Sequence, residues 1–259
     1  MPLGDRKARR LLVFSHPNHE LAVFGLTQRY RPHIVYLTDG GGEHRVGETR
    51  RGLETLGLLG QARFLNHSEK AFYQALLDQD TDFYRQVAAQ VAQLMETVQP
   101  EQVFCDAVEF YNPVHDISLP ITRAAVGTHK HIPLFEMPLI YQKPTETETY
   151  DVQRFPASRR HGAIELRLTP EELETKIKAR DEIYSQLRNQ MGRTICDLPP
   201  AHLGLEMVRP AESALPTAKP DQVLRYENRG RRLQERGEVQ RVITYADHYL
   251  PVASALLAP

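Results

Sequence analysis

Residues 11–20 read LLVFSHPNHE, so an unbroken apolar run ends abruptly in two histidines, an amide and a carboxylate. Four consecutive apolar residues without alternation predict a strand that is covered on both faces, as in a parallel sheet. Open α/β folds bind their ligands at the carboxyl ends of such strands. We therefore expect the chemistry of this protein to lie just after Phe14.

The composition limits the classes of partner. The chain has 259 residues, 41% of them hydrophobic, which is enough to build the core of one large domain. Its formal net charge of −1 gives no support for binding to nucleic acid or to an anionic membrane. Apolar runs are too short for a membrane span or a signal peptide, and the two cysteines form no CxxC motif. We expect a cytoplasmic protein with no nucleic-acid or membrane partner, and the sequence leaves a homo-oligomer open.

Strand and helix patterns alternate along the first half of the chain. Apolar runs predict strands at 11–14, 33–37, 62–65, 103–105 and 133–140, and helical patterns occur at 20–29, 48–59, 82–98 and 119–126. Such alternation is typical of a parallel sheet with right-handed crossovers. The predicted fold class is α/β, Rossmann-like, with a mostly parallel sheet, flanking helices and a C-terminal elaboration.

We predict a single domain over residues 1–259. Its first part, 1–140, is expected to hold the core sheet and a metal site, and 141–259 a lid or loop region. Thr169, Pro170 and Glu172 form the pattern of a helix start, which predicts a long helix at 170–191. Residues 198–221 are rich in proline and predict a surface connection, before a C-terminal strand at 239–245.

Polar clusters follow three of the predicted strands. They consist of His16, Asn18, His19 and Glu20 after the first, Thr38 and Asp39 with three glycines after the second, and Asp106, Glu109, Tyr111, Asn112, His115 and Asp116 after the fourth. The carboxyl ends of parallel strands share one edge of a sheet, so these clusters could converge. An HxxH pair alone is weak evidence in a chain with 11 histidines, but His115 after another strand strengthens it. Zinc enzymes typically use three such ligands and keep a fourth position for water. His16, His19 and His115 are therefore candidate metal ligands.

At these residues the chain resembles the PIG-L/LmbE-like de-N-acetylase family, whose zinc hydrolases remove acetyl groups from N-acetylglucosamine-containing substrates. HPNHE at 16–20 stands where the family has HPDDE, and YNPVHD at 111–116 where it has HPDH. Weaker correspondences are TDG at 38–40 with Thr-x-Gly, RGLE at 51–54 with Arg-x-x-Glu, and LG at 59–60 followed by FL at 64–65. The resemblance covers residues 10–130 well and 176–186 more loosely. It implies an LmbE-like fold and a zinc-dependent deacetylase.

The resemblance also assigns roles. His16 and His115 match two metal ligands, and His19 occupies the place of a carboxylate ligand. Asn18 stands where the family has the aspartate that takes a proton from the metal-activated water, and an amide cannot act as a general base. Asn112 and Val114 replace a histidine and an aspartate of the second motif. Arg51 corresponds to an arginine near the substrate, and we assign it to substrate binding together with Tyr111 and Asn112.

A site of three neutral histidines retains the full charge of Zn²⁺, so a bound water ionises readily, with a pKa of about 7 in carbonic anhydrase. Hydrolysis without Asn18 as base is therefore chemically reasonable. Carboxylates that could serve instead are Glu20, Asp39, Asp106 and Asp116. Structural roles remain open for two of the candidate residues. Arg51 could belong to a solvated ion pair with Glu54, and Asp39 could be a turn residue.

The function predicted from the sequence is hydrolysis of an acyl group, acetyl by analogy, from the nitrogen of an amino sugar or a related small metabolite. Zn²⁺ is the expected cofactor, and Fe²⁺ stays open because imidazole does not select between them. The alternative is a member of the family that binds a metabolite or sugar without hydrolysing it. A nucleotide-sugar transferase is disfavoured, because the glycines at 40–42 form neither GxGxxG nor a P-loop.

Overall fold

The computed structural model describes residues 3–127, 131–143, 150–184, 197–218, 222 and 224–258. Its strands are β1 (Arg10–Phe14), β2 (His33–Thr38), β3 (Ala62–His67), β4 (Gln102–Asp106), β5 (Leu134–Met137), β6 (Ile140–Gln142), β7 (Tyr150–Val152), β8 (Ile164–Arg167) and β9 (Leu205–Pro210). Its helices are α1 (Phe24–Tyr30), α2 (Glu43–Thr55), α3 (Glu69–Leu77), α4 (Thr81–Val98), α5 (Pro113–Val126), α6 (Pro170–Glu182), α7 (Pro200–Leu203), α8 (Arg225–Glu235) and α9 (Leu250–Leu257). Within these ranges, no helix is both long and apolar enough to cross a bilayer.

Seven strands form one sheet in the order β3-β2-β1-β4-β5-β9-β8. The first five are parallel, whereas β9 runs antiparallel to both β5 and β8. Strands β6 and β7 form a separate antiparallel pair. The predicted Rossmann-like α/β architecture with a mostly parallel sheet is confirmed.

The interior strands of the sheet are buried on both faces, and β1 lies among them between β2 and β4. All five residues of β1 are buried. Leu11 and Val13 pack into a core that includes side chains of α3, α4, α5 and α9, while Leu12 and Phe14 pack into a second core with α1, α2 and α6. Burial on both sides explains why the strand reads as an unbroken apolar run. Its carboxyl end is thereby fixed in the middle of the molecule.

Helix starts next to the carboxyl edge of the sheet are fixed by side-chain caps. Ser68 Oγ accepts a hydrogen bond from the Ala71 amide at the start of α3, and Asn112 Oδ1 accepts one from the Val114 amide at the start of α5. Such caps satisfy amide groups that the helix itself leaves without partners. Helix α5 begins at Pro113, six residues before the predicted helix at 119–126. His115 therefore lies in the first turn of α5.

Three expectations for the second half of the chain need revision. The prediction of a surface connection at 198–221 is wrong for its middle, because β9 lies inside the sheet with Glu206, Met207 and Val208 buried. The strand predicted at 239–245 is also wrong, because Val242 and Ile243 line a cavity and Tyr245–Tyr249 forms a π-helix. Helix α6 runs over Pro170–Glu182, and residues 185–191 of the predicted 170–191 helix lie outside the described residues.

Candidate metal centre and substrate cavity

Three histidines from two strand ends meet at the carboxyl edge of the sheet. His16 follows β1, His19 begins a short 3-10 helix (His19–Val23), and His115 lies in α5. Their ring centroids are 5.1 Å apart for His16 and His19, 5.0 Å for His16 and His115, and 4.5 Å for His19 and His115. Each ring offers one nitrogen within 4.8 Å of the others, and all three side chains are buried. This spacing fits three imidazoles around a single metal ion.

The polar groups behind the histidines orient the rings. Asp106 Oδ2, at the end of β4, lies 2.9 Å from His19 Nδ1 and also accepts hydrogen bonds from Ser15 Oγ (2.6 Å) and the Ser15 amide (2.7 Å). Because the carboxylate holds the proton on Nδ1, the lone pair on Nε2 of His19 is available to a metal. A carboxylate partner of this kind commonly supports a metal-binding histidine. Behind His115, Glu109 Oε2 lies 3.7 Å from Nδ1, which is too long for a hydrogen bond.

Burial keeps two of the histidines neutral. Desolvation lowers the pKa of both His19 and His115 well below the usual value, and the neighbouring histidines lower each further. Burial also raises the pKa of Asp106 to about 7, although hydrogen bonds from Ser15 act in the opposite direction. Neutral imidazole is the form that binds metal ions. The site is therefore electrostatically suited to gain a cation.

Asn18 lies between two of the histidines and is held firmly. Its backbone has φ 77°, in the left-handed region that asparagine tolerates better than most residues. The Asn18 Nδ2 amide donates to Glu48 Oε2 (3.0 Å), and Thr49 Oγ1 donates to Asn18 Oδ1 (2.9 Å). Both partners lie on α2. The side chain is fixed as an amide, with its nitrogen facing a carboxylate.

Glu69 is a carboxylate at the site that the sequence analysis did not single out. Its Oε1 lies 3.0 Å from His16 Nε2 and accepts a hydrogen bond from Tyr73 Oη (2.9 Å). Asp39 Oδ1 accepts from the Glu69 amide (3.0 Å) and so fixes the start of α3. Burial would raise the pKa of Glu69, but the contacts with His16 and Tyr73 outweigh it and hold that pKa well below the usual range. Glu69 is thus an ionised acceptor beside a predicted metal ligand.

The other predicted site residues are dispersed. Glu20 is buried away from the cavity and accepts a hydrogen bond from Tyr184 Oη (2.7 Å), and burial raises its pKa. Asp116 accepts from the amides of Glu109 and Phe110, which fixes the loop before α5. Arg51 is exposed and is not among the residues that line the cavity. The catalytic and binding roles assigned to these three residues stay predictions.

The histidines open into a cavity of about 790 Å³. Tyr111 and Asn112, which were assigned to substrate binding, line it, and the Tyr111 ring lies 6.2 Å from that of His115. Apolar side chains cover part of the wall: Leu21, Ala22, Leu77, Leu139, Ile140, Leu233, Val239, Val242 and Ile243. A concave site with an apolar wall and a few polar groups is typical of small-molecule binding.

Arginine also contributes to the site, from positions that the sequence analysis missed. Arg45 Nη2 donates to the Pro17 carbonyl (2.7 Å) and Nη1 to that of Gly40 (3.2 Å), which ties the loops after β1 and β2 together. Arg225 and Arg229 reach the cavity from α8. Glu69 could have been found from its position just after β3, at the same sheet edge. The arginines of α8 carry no comparable signal in the sequence.

No protein-family model matches this chain, and no curated protein matches it in sequence. Solved structures do match. The A40926 pseudoaglycone deacetylase Dbv21 has a TM-score of 0.56 at 16% identity, covering 80% of this chain and 97% of that one. A deacetylase of the teicoplanin pathway, solved with bog, has a TM-score of 0.54 at 13% identity, with 80% and 100% covered. A zinc-inhibited form of the teicoplanin deacetylase Orf2 has a TM-score of 0.51 at 13% identity, also with 80% and 100% covered. At these identities the likeness concerns the fold, which this chain shares with the deacetylases.

Proposed function

We propose that this protein is a metal-dependent hydrolase that removes an acyl group, acetyl in the first instance, from the nitrogen of an amino sugar or a related small metabolite. The observation that carries the proposal is the convergence of the buried side chains of His16, His19 and His115 in the wall of a cavity of about 790 Å³. The deacetylase activity of proteins that share this fold supports it further.

The donor set fits a divalent metal ion. His19 and His115 have lowered pKa values and are neutral donors, and Asp106 directs Nε2 of His19 toward the other two rings. We propose Zn²⁺, with Fe²⁺ as the alternative because imidazole suits both. When bound, such an ion polarises a carbonyl group and lowers the pKa of water, which is the chemistry that amide hydrolysis requires.

The residues of the chain would handle the substrate and the proton. In the reaction, an oxygen–carbon bond forms from water, the carbon–nitrogen bond breaks, and a proton moves to the leaving amine. Glu69 Oε1 is the carboxylate oxygen placed to accept that proton from water and return it to nitrogen, since it lies in the cavity 3.0 Å from His16. Tyr111 and Asn112, which line the cavity next to His115, would contact the sugar.

Metal content and amine release test this proposal together. Elemental analysis of untagged protein should give about one zinc per chain, and His16→Ala, His19→Ala and His115→Ala should each abolish it. His161→Ala, at an exposed loop residue, is the matched control and should keep the metal. A metal-loaded protein that releases no free amine from a panel of N-acetylated amino sugars and amines would contradict the proposal.

Binding without hydrolysis is the second candidate, and Asn18 favours it. The amide stands in the position that the family resemblance assigns to the catalytic base, and its hydrogen bonds to Glu48 and Thr49 fix it there. Calorimetric titration with N-acetylglucosamine separates the two candidates. Saturable binding by metal-loaded protein, with no amine released over hours, would favour the binding function.

A further inference from the structure

The wall of the cavity carries an excess of positive charge. Glu69 is the single carboxylate in the described lining of the cavity. The same lining holds five cationic side chains: Arg45, Lys70, Arg225, Arg229 and Arg241. The chain as a whole has a formal net charge of −1, so this excess is local to the cavity. A concave surface lined by one sign of charge concentrates ligands of the opposite sign.

Some of the cationic side chains in the cavity wall already bind other groups of the protein. Arg45 donates to two backbone carbonyls, and Arg241 Nη1 forms an ion pair with Asp78 (2.6 Å). Glu69 faces His16 at the metal end of the cavity. Arg229 differs from these, because it is exposed on α8 and no carboxylate in the described part of the chain forms an ion pair with it. Its charge is available to a ligand.

Arg225 and Arg229 lie on the same face of α8, because they are four residues apart in a helix. The Arg225 guanidinium lies 5.0 Å from the centroid of the Tyr111 ring, and its Nε donates to Tyr150 Oη (3.2 Å). The Tyr111 ring in turn lies 6.2 Å from that of His115. One aromatic ring therefore separates the cationic face of α8 from a predicted metal ligand.

We propose that Arg225 and Arg229 bind an oxyanion of the substrate, a phosphate or a carboxylate, while its acylated nitrogen lies at the histidines. The planar fork of a guanidinium suits both anions and pairs with them through two hydrogen bonds. The preferred substrate is then an anionic N-acyl amino sugar or a metabolite of that chemistry. The placement of the acyl group rests on the proposed function, whereas binding of the anion requires no hydrolysis.

Binding constants for matched ligands test the inference. Calorimetric titration of the protein as isolated compares N-acetylglucosamine, which is neutral, with N-acetylglucosamine 6-phosphate and N-acetylmuramic acid, which carry a phosphate and a carboxylate. At least one anionic ligand should bind about tenfold more tightly than the neutral sugar, and added salt should reduce the difference. Comparison of the phosphate ligand with the carboxylate ligand shows which anion the site prefers.

Variants of α8 assign the preference to its residues. Arg225→Gln and Arg229→Gln should each reduce the preference for the anionic ligand over N-acetylglucosamine about tenfold. Urea unfolding midpoints close to that of the wild-type protein show that the variants are folded. Arg231→Gln is the matched control, since Arg231 is exposed on the same helix, pairs with Glu227 and does not line the cavity. It should keep the full preference.

Three results would overturn the inference: equal affinity of the wild-type protein for all three ligands, a preference that survives both cavity variants, or an equal loss in Arg231→Gln. Amine release is measured separately on the same ligands. Hydrolysis without any preference refutes the anion site alone, and a preference without hydrolysis refutes the proposed deacetylase alone.

Discussion

The hydrogen bond between Asn18 and Glu48 predicts what happens when the amide is replaced by a carboxylate. Asn18 Nδ2 lies 3.0 Å from Glu48 Oε2, and both side chains are buried. Asn18→Asp places two negatively charged oxygens at that distance. We expect the variant to be strongly destabilised, even though aspartate is the residue that the family resemblance favours at this position.

The size of the effect follows from two competing responses. Repulsion at 3.0 Å costs roughly 5–6 kcal/mol at an effective dielectric constant of 20. Protonating the introduced carboxyl removes the repulsion and restores a donor, at a cost of about 4 kcal/mol at pH 7 from a reference pKa near 3.9. The smaller cost prevails, so the free energy of unfolding should fall by about 4 kcal/mol.

The loss should depend on pH in a defined direction. The introduced carboxyl has a higher pKa in the folded protein than in the unfolded chain, so the folded state binds more protons and stability rises as the pH falls. At pH 5 the loss should shrink to about 1.5 kcal/mol. Urea unfolding in EDTA at both pH values measures it without any contribution from a metal ion.

A double variant isolates the pair. Glu48→Gln in the Asn18→Asp background replaces the second acceptor by a donor and should recover at least about 3 kcal/mol at pH 7. Glu54→Gln, at an exposed position on α2, is the matched control and should recover nothing. If Asn18→Asp unfolds within about 1 kcal/mol of wild type at pH 7, or if both glutamine variants rescue it equally, the argument fails.

Two further changes test the groups that support the site. Asp106→Asn removes the carboxylate behind His19 Nδ1 and should weaken metal binding about 10- to 100-fold in competition with a chromophoric chelator, so an affinity within twofold of wild type would refute its role. Lys176→Met leaves Glu206, its buried ion-pair partner at 2.9 Å, without a compensating charge, and should lower the free energy of unfolding by about 3 kcal/mol in urea. Lys178→Met, at an exposed position, should change it by less than about 0.5 kcal/mol, and equal losses in the two variants would contradict the argument.

The convergence of the histidines could be predicted from the sequence because it follows from the fold class. His16 and His115 come after neighbouring strands of a parallel sheet, and strand ends at one edge meet regardless of side-chain detail. Glu69 obeys the same rule after β3, whose burial pattern alternates weakly because the strand lies at the sheet edge. The strand predicted at 62–65 ends two residues before β3 does, so Glu69 lay beyond the residues to which the rule was applied.

The part of the cavity wall formed by α8 and residues 239–243 could not be predicted, because nothing in the local sequence distinguishes these segments from a solvated surface. The sequence of α8 is rich in charge, which is equally typical of an exposed helix. Pro199 and Pro200 precede β9 and Pro210 ends it, and prolines so placed also suit a loop. Val239, Val242 and Ile243 are β-branched residues typical of a strand, but they line the cavity instead of pairing with a neighbouring strand. Tertiary contacts decide each of these cases.

The cavity is built from separate stretches of the chain, with consequences for its evolution. The histidines and their supporting carboxylates lie between residues 16 and 116, Leu139, Ile140 and Gln153 add a middle stretch, and α8 and residues 239–243 supply the rest of the wall. Substitutions in this last stretch can alter which molecule enters without disturbing the three histidines. Divergence of substrate range within such a scaffold can therefore proceed by drift in the later segment alone, under constant selection on the earlier one.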